Sequence, residues 1–236
     1  MRRGLIIALG VVVGAVALIS AGTWVYLNVV RDPPPERLTL DDTTATTSVT
    51  STTAAATEPT PAAGGVDGRW TVAAGSEAGY RVPEVLNGQS TEAVGRTTAV
   101  TGELTIAGTT ATAATFTVDM TTVASNESRR DNQFRGRIMD VATHPTATFE
   151  LSEPIDFGAV PAEGARLTAE AAGRLTLRGR TNPVTFTVEA ERTGGTIRVA
   201  GSIPITFSDY GIPNPSAGPA QVGDEGELEF LLVLGR

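Results

Sequence analysis

The sequence contains no cysteine, no lysine and a single histidine, His144. Without cysteine there is no disulfide, no thiolate nucleophile and no cysteine metal site. The redox compartment is left open by that absence, because an oxidising space and a reducing one are both tolerated. With one histidine, a zinc centre would have to lean on carboxylates, a donor set zinc seldom takes. All 18 basic residues are arginine, and against 26 acidic residues they leave a net charge of −8. That balance argues against nucleic acid and gives no electrostatic reason to bind an anionic surface. There is no Gly-x-Ser-x-Gly and no Ser/His/Asp grouping beyond chance. No enzyme activity, metal or cofactor is expected.

What is present falls into three parts, because the composition changes twice. Residues 1–30 open with Met1-Arg2-Arg3-Gly4, and no charged residue then occurs from Leu5 to Val30, a run of 26. A bilayer-spanning helix needs roughly 20 residues. The arginines before the run keep the N-terminus cytoplasmic, and Trp24 and Tyr26 fall where interfacial aromatics are favoured. The run reads as an uncleaved anchor in the cytoplasmic membrane. The competing reading is a signal segment cleaved near Ser20-Ala21-Gly22. Either places the remainder outside the cytoplasm, secreted if the segment is removed.

Residues 31–68 read as a linker. Pro33-Pro34-Pro35 leaves the apolar run stiffly, and Thr39 to Thr60 holds ten threonines mixed with Ala, Ser and Pro. Such a stretch has too little apolar surface to offset its ordering entropy. Extended at about 3.1 Å per residue it would reach on the order of 100 Å. A plain tether is the simpler reading and an O-glycosylated stalk the sharper one.

Residues 69–236 form the folded domain. Gly173 to Val188 shows its plan. Leu175 and Leu177 point one way, Arg174, Thr176 and Arg178 the other. After a turn at Gly179 and Asn182-Pro183, Val184, Phe186 and Val188 share a face. Alternation with period two marks half-buried strands. The pattern recurs. Trp70–Val72 and Tyr80–Val82 open the domain. Thr97–Ala107 and Thr112–Met120 make a hairpin about Gly108-Thr109-Thr110. Thr146–Ser152 is a strand. Thr196–Phe207 follows a turn at Gly194-Gly195. Glu227–Leu234 carries Leu228, Phe230, Leu232 and Leu234 on one face. Between them, Ser125 to Asp140 changes period and reads as a helix capped by Ser125 or Asn126, with Phe134 and Ile138 four apart. The expected fold is all-β, an antiparallel barrel of about eight strands with a helical insertion. A two-sheet sandwich fits the same alternation.

Several segments carry a family resemblance. They are Thr121 to Phe134, Ile138-Met139-Asp140-Val141, His144-Pro145-Thr146-Ala147-Thr148-Phe149, Gly173 to Val184, Phe207-Ser208-Asp209-Tyr210-Gly211-Ile212, and Val222-Gly223-Asp224. In this order and spacing the domain resembles the YceI-like proteins, lipocalin-like barrels of the bacterial periplasm and envelope that bind polyisoprenoids. Two departures stand out. Ile138 and Met139 occupy the place of the family's aromatic pair, and His144 that of its commoner tyrosine. The resemblance implies a lipid-binding barrel and an isoprenoid lipid as partner.

The ligand-lining set expected from apolar strand faces is Phe116, Val118, Met120, Phe149, Phe186, Val188, Phe207 and Phe230. The insertion adds Phe134 and Ile138. These residues read equally as a solid core, and the resemblance turns the balance to a tunnel. Arg130 suits a ligand phosphate through its guanidinium fork; the plainer reading pairs it, with Asp131 fastening the insertion to the barrel. His144 before a proline reads as a turn residue ahead of a proton switch. Asp209, Asp224 and Glu225 lack the spacing of a calcium loop, and Asn126-Glu127-Ser128 matches an N-glycosylation pattern of little weight here. The function expected is non-catalytic binding of a polyprenyl phosphate or quinone-like lipid, for carriage, storage or sensing. The alternative is an interaction module with a filled barrel, meeting an envelope protein. A homodimer would follow from an exposed strand edge beside a gap in the wall.

Overall fold

The computed structural model describes residues 34–41 and 65–236. The apolar run read as an anchor lies outside these residues. Among the described residues no helix is long and apolar enough to cross a membrane.

The wall is a closed antiparallel barrel of eight strand positions. Two of them are composite. The chain bends between β1 (Gly68–Val72) and β2 (Glu77–Leu86), and again between β3 (Gln89–Thr97) and β4 (Val100–Ala107). Next come β5 (Thr110–Asp119), β7 (Thr146–Leu151), β9 (Arg166–Leu177), β10 (Arg180–Thr193), β11 (Thr196–Thr206) and β13 (Glu225–Gly235). The short strands β6 (Ala124–Ser125), β8 (Ile155–Asp156) and β12 (Ala220–Val222) attach to β3, β5 and β2. Closure comes from β1, which pairs with β4 on one side and β13 on the other. The sandwich alternative is thereby excluded. So is a gap in this ring.

Of the β2–β3 hairpin the sequence reading contains only Tyr80–Val82, within β2. Asn87-Gly88 turns it, with both residues at positive φ, as a two-residue hairpin loop requires. β3 lies past the end of β5, and the segment from Met120 to Pro145 follows there, with β6 pairing to Gly95 and Arg96 of β3. That segment differs from the single helix expected over Ser125–Asp140. It holds a short helix, α1 (Ser128–Gln133), and a π-helical turn, Phe134–Ile138. The cap is Glu127, whose side chain accepts from the Arg129 amide, not Ser125 or Asn126.

Inward residues divide into two apolar clusters. One, toward α1, gathers Met120, Phe134, Leu175, Leu177, Phe186 and Phe207. The other, toward the Thr193–Thr196 hairpin, gathers Trp70, Ile106, Ile197, Leu232 and Leu234. We call these ends the mouth and the far end.

Part of the outer wall is buried as well. On β13 the outward residues Glu229 and Leu231 are only 2% and 3% exposed, and outward Arg81 on β2 is 3% exposed. What covers them is residues 34–41, a strap from the stretch read as linker. Leu38 and Leu40 pack on Ala200 and Leu231. Arg81 donates to the Pro35 carbonyl at 2.8 Å, Arg96 to that of Glu36, and Arg198 to that of Leu40 at 2.6 Å. Arg37 pairs with Glu227, and Asp41 with Arg166. Beneath the strap, Glu229 lies between Arg81 at 3.2 Å and Arg96 at 2.9 Å. Arg81 also reaches Glu92 at 2.5 Å. A buried carboxylate needs such full pairing to be tolerated at all.

Glu229→Ala would remove the buried carboxylate that Arg81 and Arg96 share, leaving both guanidiniums under the strap with fewer acceptors. Breaking a buried pair from one side costs about 3–5 kcal/mol, or a fall of roughly 6–20 °C in a domain of this size. Glu103→Ala, which removes the exposed Arg69–Glu103 pair, is expected to move the midpoint by no more than about 4 °C. Equal melting of the two variants, followed by circular dichroism, would remove the strap-covered cluster from its structural role.

Candidate functional site

The barrel is hollow. An interior cavity of about 810 Å³ runs from the mouth toward the far end, within the range of about 300–1,000 Å³ usual for small-molecule sites. Its space has a local cause in the sequence. The inward residues of β9 are Leu167, Ala169, Ala171, Gly173, Leu175 and Leu177, so the middle of that strand projects almost nothing.

The large rings are held against the wall instead of across the bore. Cross-strand glycines make this possible. Phe116 lies opposite Gly102, Phe230 opposite Gly201 and Tyr80 opposite Gly95. A Cβ on Gly95 would stand 2.5 Å from the Tyr80 ring, and one on Gly201 2.7 Å from that of Phe230. Gly173 makes the same approach to Phe149 diagonally, at 2.3 Å. The rings also brace one another. Phe149 meets Phe186 edge-on at 5.4 Å between centroids, and Phe186 meets Phe230 at 5.9 Å.

All eleven residues expected to meet a ligand line this cavity. Phe116, Val118, Phe149, Phe186, Val188 and Phe230 come from β5, β7, β10 and β13. Met120 and Phe207 stand at the ends of β5 and β11, and Phe134, Ile138 and Arg130 come from the insertion. Sequence reasoning missed Tyr80, Ala169, Ala171 and Met139, which line it too. Tyr80 stacks on Phe134 at 5.1 Å and 18°. The alternation from Ala78 to Glu84 was its available signal.

The mouth is rimmed by the Leu86-Asn87 turn, α1 and the loop carrying Pro215, Ala217 and Pro219. Its polar groups are largely satisfied by one another. Arg130 reaches Glu84 at 3.1 Å and donates to the Asn126 amide oxygen at 3.1 Å. Asp131, buried, accepts from the Ser125 amide at 2.9 Å and hydroxyl at 2.6 Å. It therefore fastens the insertion, as the plainer reading held. His144 lies beside the Gly179 turn, where an added Cβ would meet its ring at 2.7 Å, and it does not line the cavity. Among the described residues no three His, Asp or Glu side chains are placed to hold a metal ion.

Burial pushes the Tyr80 hydroxyl up to about 12, with the nearby Asp131 and Glu84 carboxylates adding to the rise against the lowering pull of Arg130. The ordinary value is 10.0. As pH rises above the ordinary value, the unfolded chain releases this proton while the folded barrel retains it. Stability therefore falls with pH between the two values. The absence of lysine leaves that range to the tyrosines. Tyr210 is displaced in the same direction, chiefly by burial, so the contribution of Tyr80 is read as a difference. Urea unfolding at about pH 9 and about pH 11 is expected to show a loss in the parent that Tyr80→Phe largely escapes. The same loss in both chains would contradict it.

A search of curated proteins gives no match. Among solved structures, a polyisoprenoid binding domain from Saccharophagus degradans, implicated in plant cell wall breakdown, aligns with a TM-score of 0.58 at 18% identity. The alignment covers 71% of this chain and 97% of that one. BcnA of Burkholderia cenocepacia aligns with a TM-score of 0.53 at 24% identity, covering 69% and 98%. These likenesses concern the fold. The family model described as the YceI-like domain matches residues 70–234, nearly the whole barrel from the Trp70 anchor to the last inward leucine, and this chain belongs to that family.

Proposed function

We propose that the barrel binds, without catalysis, one amphipathic lipid with an isoprenoid tail, a polyprenyl phosphate or a quinone-like molecule, and does so beside a membrane to which the chain is anchored. The observation that carries the reading is the cavity. It is long, lined by aliphatic and aromatic side chains, and polar only at its rim. Each buried methylene contributes about 0.8 kcal/mol, so a long tail binds well with few polar contacts. The solved relative described as a polyisoprenoid binding domain supports the same ligand class.

The rim bears on the headgroup. Arg130 is already held by Glu84 and Asn126, so a phosphate would have to compete with a carboxylate for it. A neutral headgroup faces no such competition. Ile138 and Met139, standing in place of an aromatic pair, line the inner mouth without rings. The interaction-module alternative depended on an interior filled by side chains, and the cavity removes that support.

Native mass spectrometry of the chain purified without detergent from a bacterial host is expected to show a stoichiometric adduct, and organic extraction should identify an isoprenoid. Phe186→Asp puts a carboxylate in the middle of the bore and is expected to abolish the adduct. Undiminished loading of a folded Phe186→Asp chain, or a clean apo mass after incubation with polyprenyl phosphate and quinone, would sink the reading.

A further inference from the structure

The strap changes what the stretch after the apolar run does. We infer that residues 34–41 clamp the barrel so that its mouth, rimmed by α1, faces the surface of the lipid bilayer and its far end faces away. The inference rests on the anchor reading of residues 5–30 and deepens the proposed lipid-binding function by naming the bilayer as the partner surface at the mouth.

Pro35 and Glu36 sit at Arg81 on β2 and Arg96 on β3, about midway along the wall. Leu40 is held by Arg198, near the start of β11, and Asp41 by Arg166, the first residue of β9. Both of these belong to the far end, where the Thr193–Thr196 hairpin lies. The strap thus runs from the middle of the wall to the far rim, and its reverse course points from the middle toward the mouth.

Length makes the direction matter. Only Arg31, Asp32 and Pro33 separate Val30 from Pro34. Four residue steps reach at most about 14 Å. A bilayer holding Val30 therefore lies within about that distance of the middle of the wall, and the course of the strap is what assigns it to the side toward the mouth. Without the strap, the distance from Val30 to β1 would be set by a chain of 37 residues, 31 to 67, and the barrel would take any orientation.

The threonine-rich stretch is then no spacer. It leaves the strap at Asp41, on the far rim. It rejoins the barrel at Gly65 and Val66, which are also at the far end. There Arg236 donates to the carbonyls of Gly65 at 2.6 Å and Asp67 at 2.8 Å, and the Trp70 indole donates to that of Val66 at 2.8 Å. Both ends of the stretch are fixed to the barrel on the side away from the bilayer. The strap contacts are specific. Two leucines are buried, three backbone carbonyls take arginine donors, and an ion pair stands at Arg37 and another at Asp41. Hydrogen bonding to Arg37 holds the Glu227 carboxyl below its ordinary value, as Arg166 does for Asp41.

The absence of cysteine permits a direct test on the full chain. Ser128→Cys at the mouth and Thr193→Cys at the far end, both exposed and outside the cavity lining, are labelled with a fluorophore. Each chain is reconstituted into phosphatidylcholine vesicles carrying a headgroup spin-labelled lipid. Quenching is expected to be several-fold stronger at residue 128. Adding Leu38→Asp and Leu40→Asp is expected to bring the two sites close to equal. If that pair unfolds the barrel, Arg37→Glu opposite Glu227 provides a milder break, expected to reduce the difference. Equal quenching in the strapped chain, stronger quenching at residue 193, or a difference indifferent to both strap variants would overturn the inference. So would failure of the chain to float with the vesicles. Lipid extraction from the same samples separates the two readings: asymmetric quenching around an empty barrel upholds the orientation and refutes the lipid-binding function.

Discussion

Ring against glycine is the contact on which the interior depends. A barrel of eight strands is just wide enough for its own side chains to fill it. Aromatic rings on inward positions would ordinarily do so. Here the residue across from each of Phe116, Phe230 and Tyr80 is a glycine, and the missing Cβ lets the ring lie along the wall. The rings still bury their area and brace one another, so the wall is stabilised without closing the bore. The small inward residues of β9 extend the same economy of volume to the opposite side. Restoring a Cβ at one of these glycines would push a ring inward or strain the strand, and either change reaches the cavity directly.

The wall has a second apolar face, and it is used differently. Inward residues make a space, whereas outward residues on β2, β11 and β13 make a seat. That seat mixes two leucine contacts with a buried carboxylate between two arginines. The mixture fits a strap better than a second sheet. An extended chain brings carbonyl groups that need donors, and Arg81, Arg96 and Arg198 supply them. The composition of one wall thus encodes two occupants, a segment of the chain outside and a slender cavity within.

Much of this was legible from alternation alone. The strands flanking Gly179, Gly108-Thr109-Thr110 and Gly194-Gly195 were readable because one face is apolar and the turns carry the residues they need. So were the ring-bearing positions, since scarce phenylalanines on apolar faces have few other places to go. The β2–β3 hairpin escaped because Thr91, Glu92, Ala93 and Val94 do not alternate cleanly, although Asn87-Gly88 marked the turn. The openness of the interior escaped because it depends on which residue lies opposite which, and register is not written in one strand. The strap left a trace in the sequence. From Leu231 to Leu234 the alternation of β13 lapses into an apolar run, with Leu231 and Val233 outward, and Glu229 just before it is outward too. An apolar outward residue on a closed barrel implies a cover, but only the folded chain shows that Leu38 and Leu40 supply it.

The strap also bears on what cutting the chain would do. Residues 42–64 connect two points that the barrel already holds, so cleavage among them would not by itself detach the barrel from the N-terminal segment. It would convert an intramolecular contact into a complex of two polypeptides, held by the strap alone. Before the cut, the connection keeps strap and seat at a high effective concentration; after it, their association depends on how much of each piece is present. A protease acting there would turn a covalently joined barrel into an exchangeable one, kept on the strap where such barrels are crowded and shed where they are sparse.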